Sequence, residues 1–175
     1  MGRKLITHRY YQSFLIFLKK YRVVLIFLLS FSLHIPYIHP SHGLESDEAM
    51  YILVADQLYK GNDLYSEIYM GKPPGTSYLF LMVIDLFGMN TVVFRFLSGF
   101  ANSLSTVAVY FIAQKIYSTR AATFAAILMA LHVSSPVFGA YWARTDSFML
   151  LFSLLSLLII LKINHIKPYI SYFAS

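Results

Sequence analysis

The sequence predicts an all-α polytopic membrane protein, with about four transmembrane helices and amphipathic juxtamembrane helices in the first outer loop. Three observations carry that prediction. Apolar residues make up 58% of the 175 and charged residues only 13%, with a mean hydropathy of +0.61, which is too apolar for a soluble domain of this size. The apolar residues gather in runs whose lengths approach that of a bilayer crossing. Basic residues flank those runs in the alternating pattern that positive-inside topology produces. No cysteine is present, which excludes disulfides and thiolate metal sites.

Residues 1–20 form a basic arm. Arg3, Lys4, Arg9, Lys19, Lys20 and Arg22 all precede or open the first long apolar run. The positive-inside rule accounts for this charge as a cytoplasmic flank, so no nucleic-acid partner is invoked. A cleaved signal peptide is disfavoured because the run ends in His34-Ile35-Pro36-Tyr37, without a small-x-small site. The first span is placed at 21–38, and Pro36 should kink or end it near the far side.

Residues 39–90 are expected outside. Within them, 43–75 form a polar island that carries six of the eight acids. A short helix is expected from about Asp47 to Tyr59, with Ser46 as N-cap, Asp47 and Glu48 at the positive end of the dipole, and Gly61-Asn62 as the stop. Met50, Leu53, Val54 and Leu58 recur at helical spacing, so this helix should lie along the membrane surface. Residues 62–71 read as loop, and Pro73-Pro74-Gly75 as an extended turn. Thr76 to Phe87 is apolar but holds Asp85 and has only about 12 residues. Were it to cross, Lys115, Arg120, Lys162 and Lys167 would fall outside; a juxtamembrane position keeps all four inside.

Further spans are placed at 91–114, 121–140 and 147–161, and 169–175 begin another apolar segment. In 91–114 the small residues Ser98, Gly99, Ala101, Ser103, Ser105 and Ala108 should let helices approach closely. Residues 115–120 form a cytoplasmic turn, and 141–146 a second outer loop with Tyr141 and Trp142 at headgroup level. This parity puts every acid, from Glu45 to Asp146, on the outer face, and any chemistry with them.

Several residues there have a chemical and a structural reading. Asp47 and Glu48 are either a catalytic pair or favourable charges at a helix start. Lys72 is a phosphate contact or an interfacial snorkeler. Asp146 is a functional acid beside a span or the local partner of Arg144. Arg95, inside a span, is a substrate contact or snorkels to headgroups. His39, His42 and Glu45 have a spacing that could hold a divalent metal, though interfacial polar roles explain them as well. His34 is read as a buried or interfacial histidine.

The ordered set D-E-A-x-Y at 47–51, V-A-x-Q-L at 54–58, G-x-x-L-Y at 61–65, K-P-P-G at 72–75, L-F-G at 86–88, V-F-R-F-L-S at 93–98 and A-R-T-D at 143–146 resembles the polytopic GT-C glycosyltransferases of the protein mannosyltransferase and aminoarabinose transferase group. The resemblance covers about residues 20–165. It implies transfer of a sugar from a polyprenyl- or dolichyl-phosphate donor to an acceptor hydroxyl at the outer face of the cell membrane. In that reading Asp47 positions or deprotonates the acceptor and Asp146 completes the site. Lys72 neutralises the donor phosphate, Glu48, Arg95 and Arg144 contact substrate, and Glu48 is also open to metal binding. Expected partners are membrane lipids, the lipid-linked donor, and a glycan, lipid or protein acceptor; no cofactor is certain and a metal is left open. The resemblance also implies an N-terminal portion of a longer enzyme, with the donor's lipid groove and most acceptor contacts outside it, so the chain alone need not be active. A non-enzymatic scaffold subunit and a transporter fragment are the alternatives. A transporter should carry its ionisable residues near mid-membrane, whereas these gather at one interface.

Overall fold

The structure is a computed structural model that describes residues 16–39, 41, 43–138 and 142–162. The basic arm before Ile16, His42, Tyr141 and everything beyond Lys162 lie outside the described residues. The described elements are α1 (Arg22–Ile38), α2 (Ser46–Tyr59), α3 (Gly75–Phe87), α4 (Thr91–Ile116), α5 (Thr119–Val133), a 3₁₀ turn (Pro136–Phe138) and α6 (Thr145–Lys162). There is no strand among the described residues; Leu64 and Ile68 share a single bridge in the loop after α2.

Two helices, α4 and α6, are long and apolar enough to cross a membrane, where about four were expected; α1, α3 and α5 are apolar but shorter. Helix α1 is preceded by helical residues 16–20, with a break at Tyr21, and it carries Pro36 inside its last turn. Helix α5 stops at Val133, short of the expected 140. Ser134 closes it, Ser135 bonds back to His132, and Pro136 has no amide hydrogen with which to continue. At the other boundary, α6 begins at Thr145, so Asp146 sits in its first turn and not in the preceding loop.

α4 is the central helix, packed by α1, α5 and α6. The six small residues expected to permit this are all buried. At Gly99 a Cβ would come within 3.2 Å of the His34 Cβ, so the backbones of α1 and α4 meet where only glycine fits without displacement. The hydroxyls on these faces are satisfied inside the bundle. Ser103 and Ser105 donate to the carbonyls of Gly99 and Ala101, Ser30 pairs with Thr106 at 3.1 Å, and Ser98 donates to Ser147 at 2.7 Å. His34 is buried among α1, α4 and α5, with Nδ1 2.9 Å from the Ser30 carbonyl and Nε2 3.1 Å from that of Val133. In a helix bundle that meets apolar surroundings, such polar links are strong because no water competes for them.

α2 and α3 pack together over one end of this bundle. Phe80 of α3 is wholly buried against Phe94 of α4, 4.6 Å between ring centroids, and Phe148 of α6, 6.2 Å away. Two expectations for α2 change. Its N-cap is Glu45, not Ser46, and the Glu45 carboxylate accepts from the amides of Asp47 and Glu48. Its buried face is Glu48, Tyr51, Ile52, Val54 and Ala55, whereas Leu53 is 59% exposed. The reason lies in a long-range ion pair, described next.

Candidate active site

Glu48 and Arg95 form a buried pair beneath α2. Arg95 donates from Nε to Glu48 Oε1 at 2.9 Å and from Nη2 to Oε2 at 2.8 Å. Its remaining donors reach the carbonyls of His39 and Gly43, both at 3.1 Å. Glu48 Oε1 also accepts from the Ala143 amide at 3.0 Å. Both side chains are essentially inaccessible, so Arg95 does not snorkel to headgroups. The charges are matched by a two-pronged fork, which is the geometry that repays desolvation best. The pair ties α2 to α4, and both to the segment leading into α6.

Successive residues of a helix point about 100° apart. With Glu48 turned inward, Asp47 faces outward, onto a cavity of about 640 Å³. Asp47 Oδ1 is 2.6 Å from Lys72 Nζ, and Oδ2 is 3.7 Å from Arg144 Nη2. Arg144 Nε in turn lies 3.6 Å from Asp146 Oδ2. The structure therefore brings Asp47, Lys72, Arg144 and Asp146 into one chain of alternating charge on the cavity wall. It sets Glu48 and Arg95 apart from that wall, as the clamp behind it. Lys72 immediately precedes Pro73 and Pro74, and its amine approaches the face of the Tyr51 ring at 6.0 Å.

The rest of the cavity divides by polarity. Near the charges, Thr76 of α3 and Thr145 of α6 share a 2.9 Å hydroxyl bond, which joins the N-terminal turns of the two helices. Both helix dipoles thus present their positive ends beside Lys72 and Arg144. Farther along, Leu79, Phe148, Met149 and Phe152 make an apolar wall, with Met149 and Phe152 open to the outside. A smaller cavity of about 220 Å³ shares Arg144 and Asp146 and adds Asn102 and His132. The arrangement can hold an anionic head among cations while an apolar tail follows the wall.

The ion pairs are water-accessible: the side chains of Lys72, Asp47 and Arg144 are 41%, 29% and 31% exposed. Exposed pairs are weak and yield to a better-placed anion. The hydrogen bond that Lys72 donates to the Asp47 carboxylate holds its amine above its ordinary value. The amine therefore stays charged at neutral pH, and the lysine side of the pair is lost as pH rises through that raised value.

Among the described residues no group of three potential metal ligands occurs, and the trio of His39, His42 and Glu45 is described only in part. Glu45 caps α2, His39 Nδ1 pairs with the Ser41 hydroxyl at 2.9 Å, and His42 lies outside the described residues. Sequence reasoning did not single out Tyr51, Thr76 or Thr145, nor the contact of Arg144 with Asp47. The unexplained pair of charges, Glu48 at a helix start and Arg95 inside a span, was the available signal for the clamp.

No curated protein and no solved structure matches the chain. A family model does match, over residues 71–174, which is more than half of the chain and contains Lys72, Arg95, Arg144 and Asp146 but not Asp47. It describes the dolichyl-phosphate-mannose-protein mannosyltransferases, and with that match the chain belongs to this family of GT-C-type glycosyltransferases.

Proposed function

We propose that the chain carries the donor-phosphate and acceptor-activating part of a membrane glycosyltransferase, which moves a sugar from a polyprenyl-phosphate-linked donor to an acceptor hydroxyl at the extracytoplasmic face. The observation that carries this is the cavity itself: Asp47, Lys72, Arg144 and Asp146 meet at its mouth, and an apolar wall leads away from them. The donor phosphate displaces the Asp47 carboxylate from Lys72 and is held by Lys72 and Arg144. The acceptor oxygen attacks the anomeric carbon, the carbon–oxygen bond to phosphate breaks, and its electron pair goes to the phosphate, where the two cations meet it. Asp47, freed of Lys72, takes the proton from the acceptor hydroxyl. Asp146 holds Arg144 in place and faces the smaller cavity, where the acceptor enters.

In a transfer assay with a polyprenyl-phosphate sugar, Lys72→Ala should raise the donor KM by about tenfold, the loss expected for one charge-assisted hydrogen bond of about 1.5 kcal/mol. An unchanged donor KM would remove Lys72 from the phosphate site. The scaffold and transporter readings predict no dependence of any transfer on these residues.

This reading implies four crossings, α1, α4, α5 and α6, with α2 and α3 on the outer surface, the site outside and the N-terminus inside. The alternating basic flanks support it. Because the chain has no cysteine, single cysteines can report it. Tyr69→Cys and Tyr117→Cys, both at well-exposed positions, should react with an impermeant thiol reagent from opposite sides of sealed vesicles. Labelling of both from one side would contradict the assignment.

A further inference from the structure

At the end of the bundle opposite the Asp47 cavity, a larger cavity of about 1020 Å³ is lined by α1 with the residues before it and by α5. Its mouth carries Lys19, Arg22 and Arg120, and its walls continue along α1 and α5 as Leu29, Phe124 and Ile127, all exposed to the surroundings. None of the salt bridges among the described residues involves these three cations. Arg22 makes a long bond of 3.4 Å to the Tyr110 hydroxyl. The first turn of α5, with Thr119 beside Arg120, adds the positive end of a helix dipole.

We propose that this cavity binds an anionic phospholipid, with its phosphate among Lys19, Arg22 and Arg120 and an acyl chain along the α1–α5 groove. Charge complementarity selects this occupant. The sequence holds no Asp or Glu before Glu45, between Leu86 and Thr145, or after Asp146. The segments 1–15 and 163–175, which carry Arg3, Lys4, Arg9 and Lys167, and this same face of a second copy therefore offer it no acidic side chain. A free phosphate would satisfy the mouth and leave the adjoining apolar groove uncovered. A lipid satisfies both, and basic pockets between membrane helices recognise anionic headgroups by this combination. The site is distinct from the proposed transfer site, which lies at the other end of the bundle and has two carboxylates on its wall.

The test places the full chain in phosphatidylcholine nanodiscs doped with photoactivatable phosphatidylglycerol or, in parallel, photoactivatable phosphatidylcholine with the same acyl chains, and maps the cross-links. Phosphatidylglycerol should label residues 16–29 and 119–127 over phosphatidylcholine by about fivefold or more, the ratio that about one cation's interaction with an anionic headgroup produces. Lys19→Gln with Arg120→Gln should bring that ratio close to one, with helical content unchanged by circular dichroism, and Arg120→Lys should retain it. Millimolar inorganic phosphate should not compete. Equal labelling by the two lipids, competition by inorganic phosphate, or cross-links to neither lipid would each overturn the proposal, by showing respectively a merely apolar groove, a free-anion site, or a groove covered by protein.

Discussion

Asp47→Asn should lower sugar transfer by about 10²–10⁴-fold, the usual contribution of a positioned general base, while the protein inserts and folds as before. The substitution keeps the size of the side chain and removes the charge that accepts the proton. It also frees Lys72, which Asp47 holds at 2.6 Å, so the donor should bind no more weakly than to the parent protein. The expected pattern is thus a collapse of kcat with the donor KM unchanged or lowered. That split separates a base from a residue that merely shapes the site, whose loss would raise KM. Near-normal turnover in Asp47→Asn would remove Asp47 from the chemistry.

The second large effect falls on a residue that does not line the cavity. Glu48→Gln leaves Arg95 charged, 3% exposed and without its counter-ion, and breaking a buried pair in this way costs about 3–5 kcal/mol. Thermal or chemical unfolding in detergent should show that loss, with transfer falling alongside because the rotation of α2 and the aim of Asp47 depend on the clamp. Replacing both partners by apolar residues, Glu48→Leu with Arg95→Met, should recover much of the stability, since a well-packed apolar substitute for a buried pair is often neutral. It should recover less of the activity, because the apolar pair cannot hold the Ala143 amide that leads into Arg144. A Glu48→Gln protein as stable as the parent would show that the clamp does not set the position of α2.

These two expectations differ in how far the sequence alone discloses them. The close packing of α4 is legible, because Ser98, Gly99, Ala101, Ser103, Ser105 and Ala108 recur along it, and close helix approach needs small residues. The limits of α2 and α3 are legible for similar local reasons. Gly61 takes a φ of +91° just past α2, which glycine adopts without strain, and Pro73-Pro74 allow α3 to begin only at Gly75. The rotation of α2 is not legible. The stripe of Met50, Leu53, Val54 and Leu58 competes with Tyr51, Ile52 and Ala55 beside it, so apolar spacing alone does not select the buried face. The selection is made by Arg95, which is distant in sequence. The same holds within the site. Asp47, Lys72 and Asp146 stand out as charges beside apolar runs, but their common cavity depends on α2 and α3 lying across the ends of α4 and α6, and on Arg144 bridging two carboxylates. The early end of α5 is a local signal, Ser134-Ser135-Pro136, masked by the apolar Val137-Phe138 that follow.

In the proposed transfer, Lys72 and Asp47 exchange partners when a donor binds, and the proposal turns on that exchange. A structure of the protein with a bound polyprenyl phosphate tests it most directly. The phosphate should lie within hydrogen-bond distance of Lys72 Nζ and Arg144, about 2.7–3.2 Å, with the prenyl chain along Leu79, Phe148 and Phe152 and the Asp47 carboxylate released from Lys72 toward the smaller cavity. A phosphate bound elsewhere on the bundle, with the Asp47–Lys72 pair still closed, would contradict the account.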